Sequence, residues 1–197
     1  MESPALKFPR IRSQDLQIPP VEFTAYLGFQ HPENRQQIHS LPFLGVNLQA
    51  QPILNLRESI AREIKRDLRG YPEAHITILS PPEITQFFPN DSIAEISKWA
   101  ANHQIQTIPF TVIGLGKASL SVSADSPNFE TFFLVIESPE ILAFRQQLFE
   151  KYATRKKAPE SPFEPHITVG FTTRDLHSQD GASKGRQSLL VNWSKGS

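Results

Sequence analysis

Two short segments carry the residue types best suited to chemistry: His75-Ile76-Thr77-Ile78 and His166-Ile167-Thr168-Val169. On a β-strand, residues i and i+2 point the same way. Each segment would then present one imidazole and one hydroxyl on one face and two apolar side chains on the other. If the two polar faces meet across a cleft, two His and two Thr converge, a set suited to a phosphodiester. One neutral His takes the proton of the attacking oxygen, and the other, protonated, donates to the leaving oxygen. The Thr hydroxyls, with backbone amides, hold the non-bridging oxygens as charge develops. An ordinary imidazole pKa of about 6.5 supplies both forms near neutrality. This chemistry needs no metal and no other cofactor.

The surrounding pattern supplies elements to position these groups. Phe23–Phe29 alternates as a first strand, and residues 30–52 read as a long, turn-rich connection. Leu56, Ile60, Ile64 and Leu68 recur every four residues, which predicts an amphipathic helix ended by Gly70. Ala74–Leu79 is then a strand stopped by Pro81 and Pro82. Ser92 and Glu95 have capping-box spacing and open a helix of about ten residues. Phe110–Leu115 and Thr131–Ile136 read as strands, the second apolar on both faces and so central. Ser138-Pro139 starts a helix that turns Ile141, Phe144, Leu148, Phe149 and Tyr152 inward. A basic, Pro-rich loop leads from Arg155 to Pro165, into a strand over His166–Phe171. Ser188–Trp193 is a candidate last strand. Helix, loop and His-x-Thr strand therefore occur twice, which suggests two related lobes.

Composition sets the bounds. The 197 residues hold 20 Lys plus Arg against 20 Asp plus Glu, 14 Phe and no Cys. The length fits one domain with a sizeable core. Absence of Cys removes disulfides, thiolate zinc sites and thiol catalysis. Zero formal charge argues against a general duplex-DNA binder, which needs a basic face. No segment is apolar enough to span a membrane, and Met1–Pro20, broken by four Pro, is not a secretory signal. The expected organisation is an irregular arm over residues 1–20 and a single bilobal domain over residues 21–197. A cytoplasmic monomer is the default, with a nuclear location left open.

The paired His-x-Thr-x motifs, in the two halves of a chain of this length, resemble the two-histidine (2H) phosphoesterase superfamily, the LigT and cyclic phosphodiesterase group. The resemblance covers about residues 21 to 193. Phe110–Gly116 (FTVIGLG) is similar to the strand and turn before the second motif in LigT-like members. The resemblance implies an α+β fold, with two antiparallel sheets around a central cleft and helices outside. It implies catalytic roles for His75, Thr77, His166 and Thr168. The implied reaction opens a 2′,3′-cyclic phosphate on an RNA end or a nucleotide, in RNA processing or repair. The N-terminal arm and the 30–52 connection are longer than a minimal member needs, and the segment after Phe171 is short and polar.

Further residues are candidates for substrate binding. Tyr26 could stack on a base from the first strand. Lys156 and Lys157, shortly before His166, could reach a phosphate. His31, His39, His103 and His177 have no partner motif and read as structural or surface residues. Gly114-Leu115-Gly116-Lys117 lacks the spacing of a phosphate loop and reads as a turn. Two rivals stand beside the cyclic phosphodiesterase. One is an enzyme of the same chemistry acting on 3′–5′ or cyclic-oligonucleotide linkages, or running RNA ligation. The other is a binding module that holds a nucleotide or RNA end without turnover.

Overall fold

The computed structural model describes residues 8–17, 29–30, 43–89, 93–121, 128–154 and 162–194. Within them the chain forms two antiparallel sheets and five α-helices. The first sheet has the order β1 (Phe29–Gln30), β2 (Phe43–Leu48), β3 (Ala74–Leu79). The second has the order β6 (His166–Phe171), β5 (Phe129–Glu137), β4 (Thr111–Leu120), β7 (Leu189–Asn192). This is the α+β class, with two antiparallel sheets, that the resemblance implied. Of the strand expected over Phe23–Phe29, only Phe29 is among the described residues.

β2 corrects the reading of residues 30–52 as connection. It is buried at five of its six positions and lies between β1 and β3. Farther along β2 the Gln106 side chain bonds to its backbone: Oε1 accepts from the Asn47 N–H at 2.8 Å, and Nε2 donates to the Gly45 carbonyl at 3.3 Å. The strand is thus completed by an amide from the short turn Ile105–Thr107.

The first long helix, α2 (Ala50–Ile64), starts earlier and ends earlier than its apolar period predicts. Pro52 sits in its first turn, where no intrahelical N–H is needed. Lys65, at φ 53°, ends the helix in the left-handed region, not Gly70. A four-residue helix, α1 (Ser13–Leu16), precedes it and contributes the fully buried Leu16. Pro81 and Pro82 do stop β3, but they also start α3 (Pro81–Phe87), which the sequence reading missed. Ser80 and Glu83 form its capping box, with Glu83 Oε2 accepting from the Ser80 N–H at 2.9 Å. α4 (Ile93–Asn102) follows the expected helix, although Ser92 lies outside the described residues.

α5 (Pro139–Tyr152) begins as the Ser-Pro pair predicts, with Ser138 Oγ accepting from the Ile141 N–H at 3.0 Å. β5 is central and buried on both faces, as its apolar run implied. Gly114 and Gly116 lie in mid-strand on β4, so the turn expected there is not formed. A Cβ on Gly114 would stand 2.0 Å from the Val191 carbonyl of β7, and one on Gly116 would stand 2.4 Å from the Phe133 ring. These glycines serve close strand and ring approach, not a phosphate loop.

One apolar core joins the two halves. It contains Val46, Ile76 and Ile78 of the first sheet under Ile53, Leu56 and Ile60 of α2. It continues through Phe132, Leu134, Ile167 and Val169 of the second sheet under Ile141, Leu148 and Phe149 of α5. The helices also cross over: α2 packs against β6 and α5 against β3. Each motif strand is therefore braced by the helix of the other half.

Candidate active site

Both motifs occupy complete strands, β3 and β6, each an edge of its sheet. Their burial alternates as the two-residue period requires. Ile76, Ile78, Ile167 and Val169 are fully buried, while His75, Thr77, His166 and Thr168 are half-buried on the opposite faces. In the ladders His75 pairs with Asn47 and Thr77 with Gly45; His166 pairs with Val135 and Thr168 with Phe133.

The two edge strands are neighbours. An antiparallel bridge between Arg69 and Phe171 closes one end of the seam, with N–H to carbonyl distances of 2.9 and 2.8 Å. The Tyr71 ring spans it, 6.1 Å from the His75 ring and 5.8 Å from that of Phe171. Arg57 of α2 ties the same end together. Its Nε donates to the Val169 carbonyl at 2.6 Å, and its Nη2 donates to the Tyr71 carbonyl at 2.8 Å. Burial holds this guanidinium below its ordinary pKa. At the other end, the buried Arg145 of α5 donates to the Ile78 carbonyl and pairs with Glu83. The Arg145 guanidinium lies over the rings of Phe149 and Phe163 at 4.8 and 4.4 Å.

The two histidines have different surroundings. His75 packs against Phe43, ring to ring at 4.7 Å. His166 Nδ1 is 2.7 Å from the Glu164 carbonyl. A carbonyl only accepts, so Nδ1 carries the proton and the neutral ring leaves its Nε2 lone pair open. Burial, and then the cation of Lys184, holds His166 well below an ordinary imidazole. Its protonated form is correspondingly disfavoured.

Lys184 belongs to a buried pair that no sequence motif announced. Lys184 and Asp175 are 4% and 8% exposed, and Nζ donates to Oδ1 at 2.9 Å. The other oxygen of Asp175 accepts from Thr168 Oγ1 at 3.1 Å. Burial alone would raise the Asp175 pKa; the charge and hydrogen bond of Lys184 more than offset this and lower it. The segment after Phe171, read as short and polar, thus folds back over the second motif. Thr131 Oγ1 accepts from the Leu176 N–H at 2.9 Å. The Glu164 carboxylate takes the Lys184 N–H at 2.6 Å and the Ser183 hydroxyl at 2.9 Å.

Tyr26, Lys156, Lys157, His31 and His39 lie outside the described residues. His103 is exposed and stacks on Trp99 at 4.0 Å. His177 is exposed, one residue from Leu176. Among the described residues no three His, Asp or Glu side chains converge as a metal-binding set. Among them, too, no helix is long and apolar enough to cross a membrane.

This fold, with a His-x-Thr pair on each of two adjoining strands, is matched by a family model. Residues 42–177 fit the family described as 2H-SAK, the Swiss Army Knife 2H phosphoesterase domain. The chain belongs to the two-histidine phosphoesterases, and the matched span includes both motifs, Arg57, Arg145 and Asp175. Neither a curated protein nor a solved structure matches it at a significant level.

Proposed function

We propose that this phosphoesterase opens 2′,3′-cyclic phosphates on RNA ends or nucleotides by metal-independent acid–base catalysis, in RNA processing or repair. The observation that supports it best is the placement of both His-x-Thr pairs on neighbouring edge strands, each with its polar side chains on the face away from the core.

In this reading His166 is the base. Its Nδ1–H is engaged by the Glu164 carbonyl, so Nε2 can accept the proton of an attacking water. The water oxygen bonds to phosphorus as one ribose oxygen leaves. Protonated His75 supplies the proton that the leaving oxygen needs, and the product is a phosphomonoester beside a free hydroxyl. Thr77 and Thr168 hold the non-bridging oxygens. The Thr168 hydroxyl donates to Asp175 at rest, so it must turn about its Cβ–Oγ bond to donate to substrate. The proposed partner is a small anionic terminus, not duplex DNA and not a membrane, and the working form is a monomer in the cytoplasm.

The test is incubation with 2′,3′-cyclic nucleotides and with an RNA carrying a cyclic-phosphate end, in EDTA, beside the His75→Ala and His166→Ala variants. Turnover by the wild type and its loss in both variants supports the proposal. Tight nucleotide binding with no turnover would favour a binding module. Turnover of only 3′–5′ or cyclic-oligonucleotide linkages, or strand joining, would keep the two-histidine chemistry and replace the substrate.

A further inference from the structure

Lys184 stands out among the charged groups. It is a nearly buried ammonium on a segment that no motif marks, beside one of two chemically equivalent histidines. Its surroundings are built around it. Asp175 receives Nζ at 2.9 Å, and the Phe133 ring lies 5.9 Å from the charge. The same ring is 6.1 Å from His166, edge to face. Glu164 anchors both residues, its carbonyl holding His166 Nδ1 and its carboxylate holding the Lys184 N–H.

We propose that Lys184, held in place by Asp175, is a positioning residue that assigns the proton-accepting role to His166 and so leaves the donating role to His75. The proposal rests on the two-histidine reading above and adds what distinguishes its two halves. A fixed cation beside an imidazole opposes protonation of that ring. The charged groups acting on His166 are Lys184 and His177, which disfavour its protonation, and Asp175, which favours it; Lys184 outweighs Asp175. Glu164 faces the ring through its carbonyl, while its carboxylate is turned to Ser183, Lys184 and Gln187. Asp175 has a second task, since it also receives the Thr168 hydroxyl. The Phe43 and Tyr71 rings pack against His75, and Phe43 is the closer at 4.7 Å.

The experiment follows the imidazole resonances of the full chain by NMR as a function of pH, without substrate. In the wild type His166 stays neutral through the range around pH 6.5 in which an unperturbed imidazole titrates. In Lys184→Met its titration moves up by about one pH unit or more. In Asp175→Asn it moves the other way or stays out of range, because the cation remains and its counter-charge is gone. Lys184→Arg keeps the wild-type behaviour. A lost structural contact would shift both single variants alike, so the opposite signs are diagnostic. Leaving one buried charge unpaired is costly. The double variant Lys184→Met/Asp175→Leu therefore serves where a single variant does not fold, and in it His166 titrates above the wild type. An unchanged His166 titration in Lys184→Met, or in the double variant, overturns the proposal. So does a shift of the same sign in both single variants. None of these readings requires turnover, so an inactive wild type would count against the proposed reaction and not against the role of Lys184.

Discussion

Arg57 and Arg145 make the same bond to opposite halves of the molecule. Arg57, on the helix before the first motif, donates to the carbonyl of Val169, three residues after His166. Arg145, on the helix before the second motif, donates to the carbonyl of Ile78, three residues after His75. The exchange follows the apparent duplication of helix, loop and His-x-Thr strand. It also gives the seam a physical cause: each motif strand is an edge, and an edge strand leaves carbonyls that need donors.

Removing either arginine should therefore loosen the seam. Arg145→Met leaves the Ile78 carbonyl without this donor and the Glu83 carboxylate, still capped by Ser80, without its counter-charge, and should cost about 2–4 kcal/mol of stability. Arg57→Met leaves the Val169 and Tyr71 carbonyls without this donor and should cost about 1–3 kcal/mol. Urea unfolding midpoints measure both, and a change below about 0.5 kcal/mol in either would deny the arginines this role.

Gly70 exists for Arg57. A Cβ there would lie 2.3 Å from the guanidinium carbon. The arginine is flexible and can swing away, so the cost of Gly70→Ala is the loss of its two bonds, about 1–3 kcal/mol, as in Arg57→Met. In an Arg57→Ala background the same substitution should be close to neutral. A double-mutant cycle by urea unfolding checks this, and additivity would contradict it.

Acid should weaken the fold before the carboxylates titrate. His166 is held down to about 3 by burial and by Lys184, while an unfolded His titrates at about 6.5. Between those values the unfolded chain binds the extra proton. The stability contribution is thus complete above about pH 6.5 and is lost as pH falls toward 3. The urea midpoint should decline over that window in the wild type and decline less in His166→Gln. Equal slopes would show that His166 is not held neutral.

Much of this architecture is written locally. The motif strands are bounded correctly because alternation and the flanking Pro residues are short-range signals. The start of α5 is legible because Ser-Pro is a cap followed by a residue that fits only the first turn. β2 was hidden because Gly45 and Asn47 interrupt a six-residue run inside a turn-rich stretch, and part of its edge is satisfied by Gln106. α3 was hidden because two prolines read as a stop, although Ser80 and Glu83 already had capping-box spacing. Arg57 and Arg145 left a trace, a cation within an apolar stripe: Arg57 lies between Ile53 and Ile60, and Arg145 between Ile141 and Phe149. Asp175 and Lys184 left none. Their pairing comes from a segment folding back over a sheet, which single residues in a polar tail do not signal.

His75 and His166 are proposed to act together on a cyclic phosphate. The most direct measurement is the rate of 2′,3′-cyclic nucleotide opening in EDTA by the wild type and by His75→Ala and His166→Ala, each confirmed folded by its unfolding midpoint. Turnover by the wild type and a fall of about 10²-fold or more in each variant are expected. Full activity in a folded His75→Ala or His166→Ala would contradict the proposal.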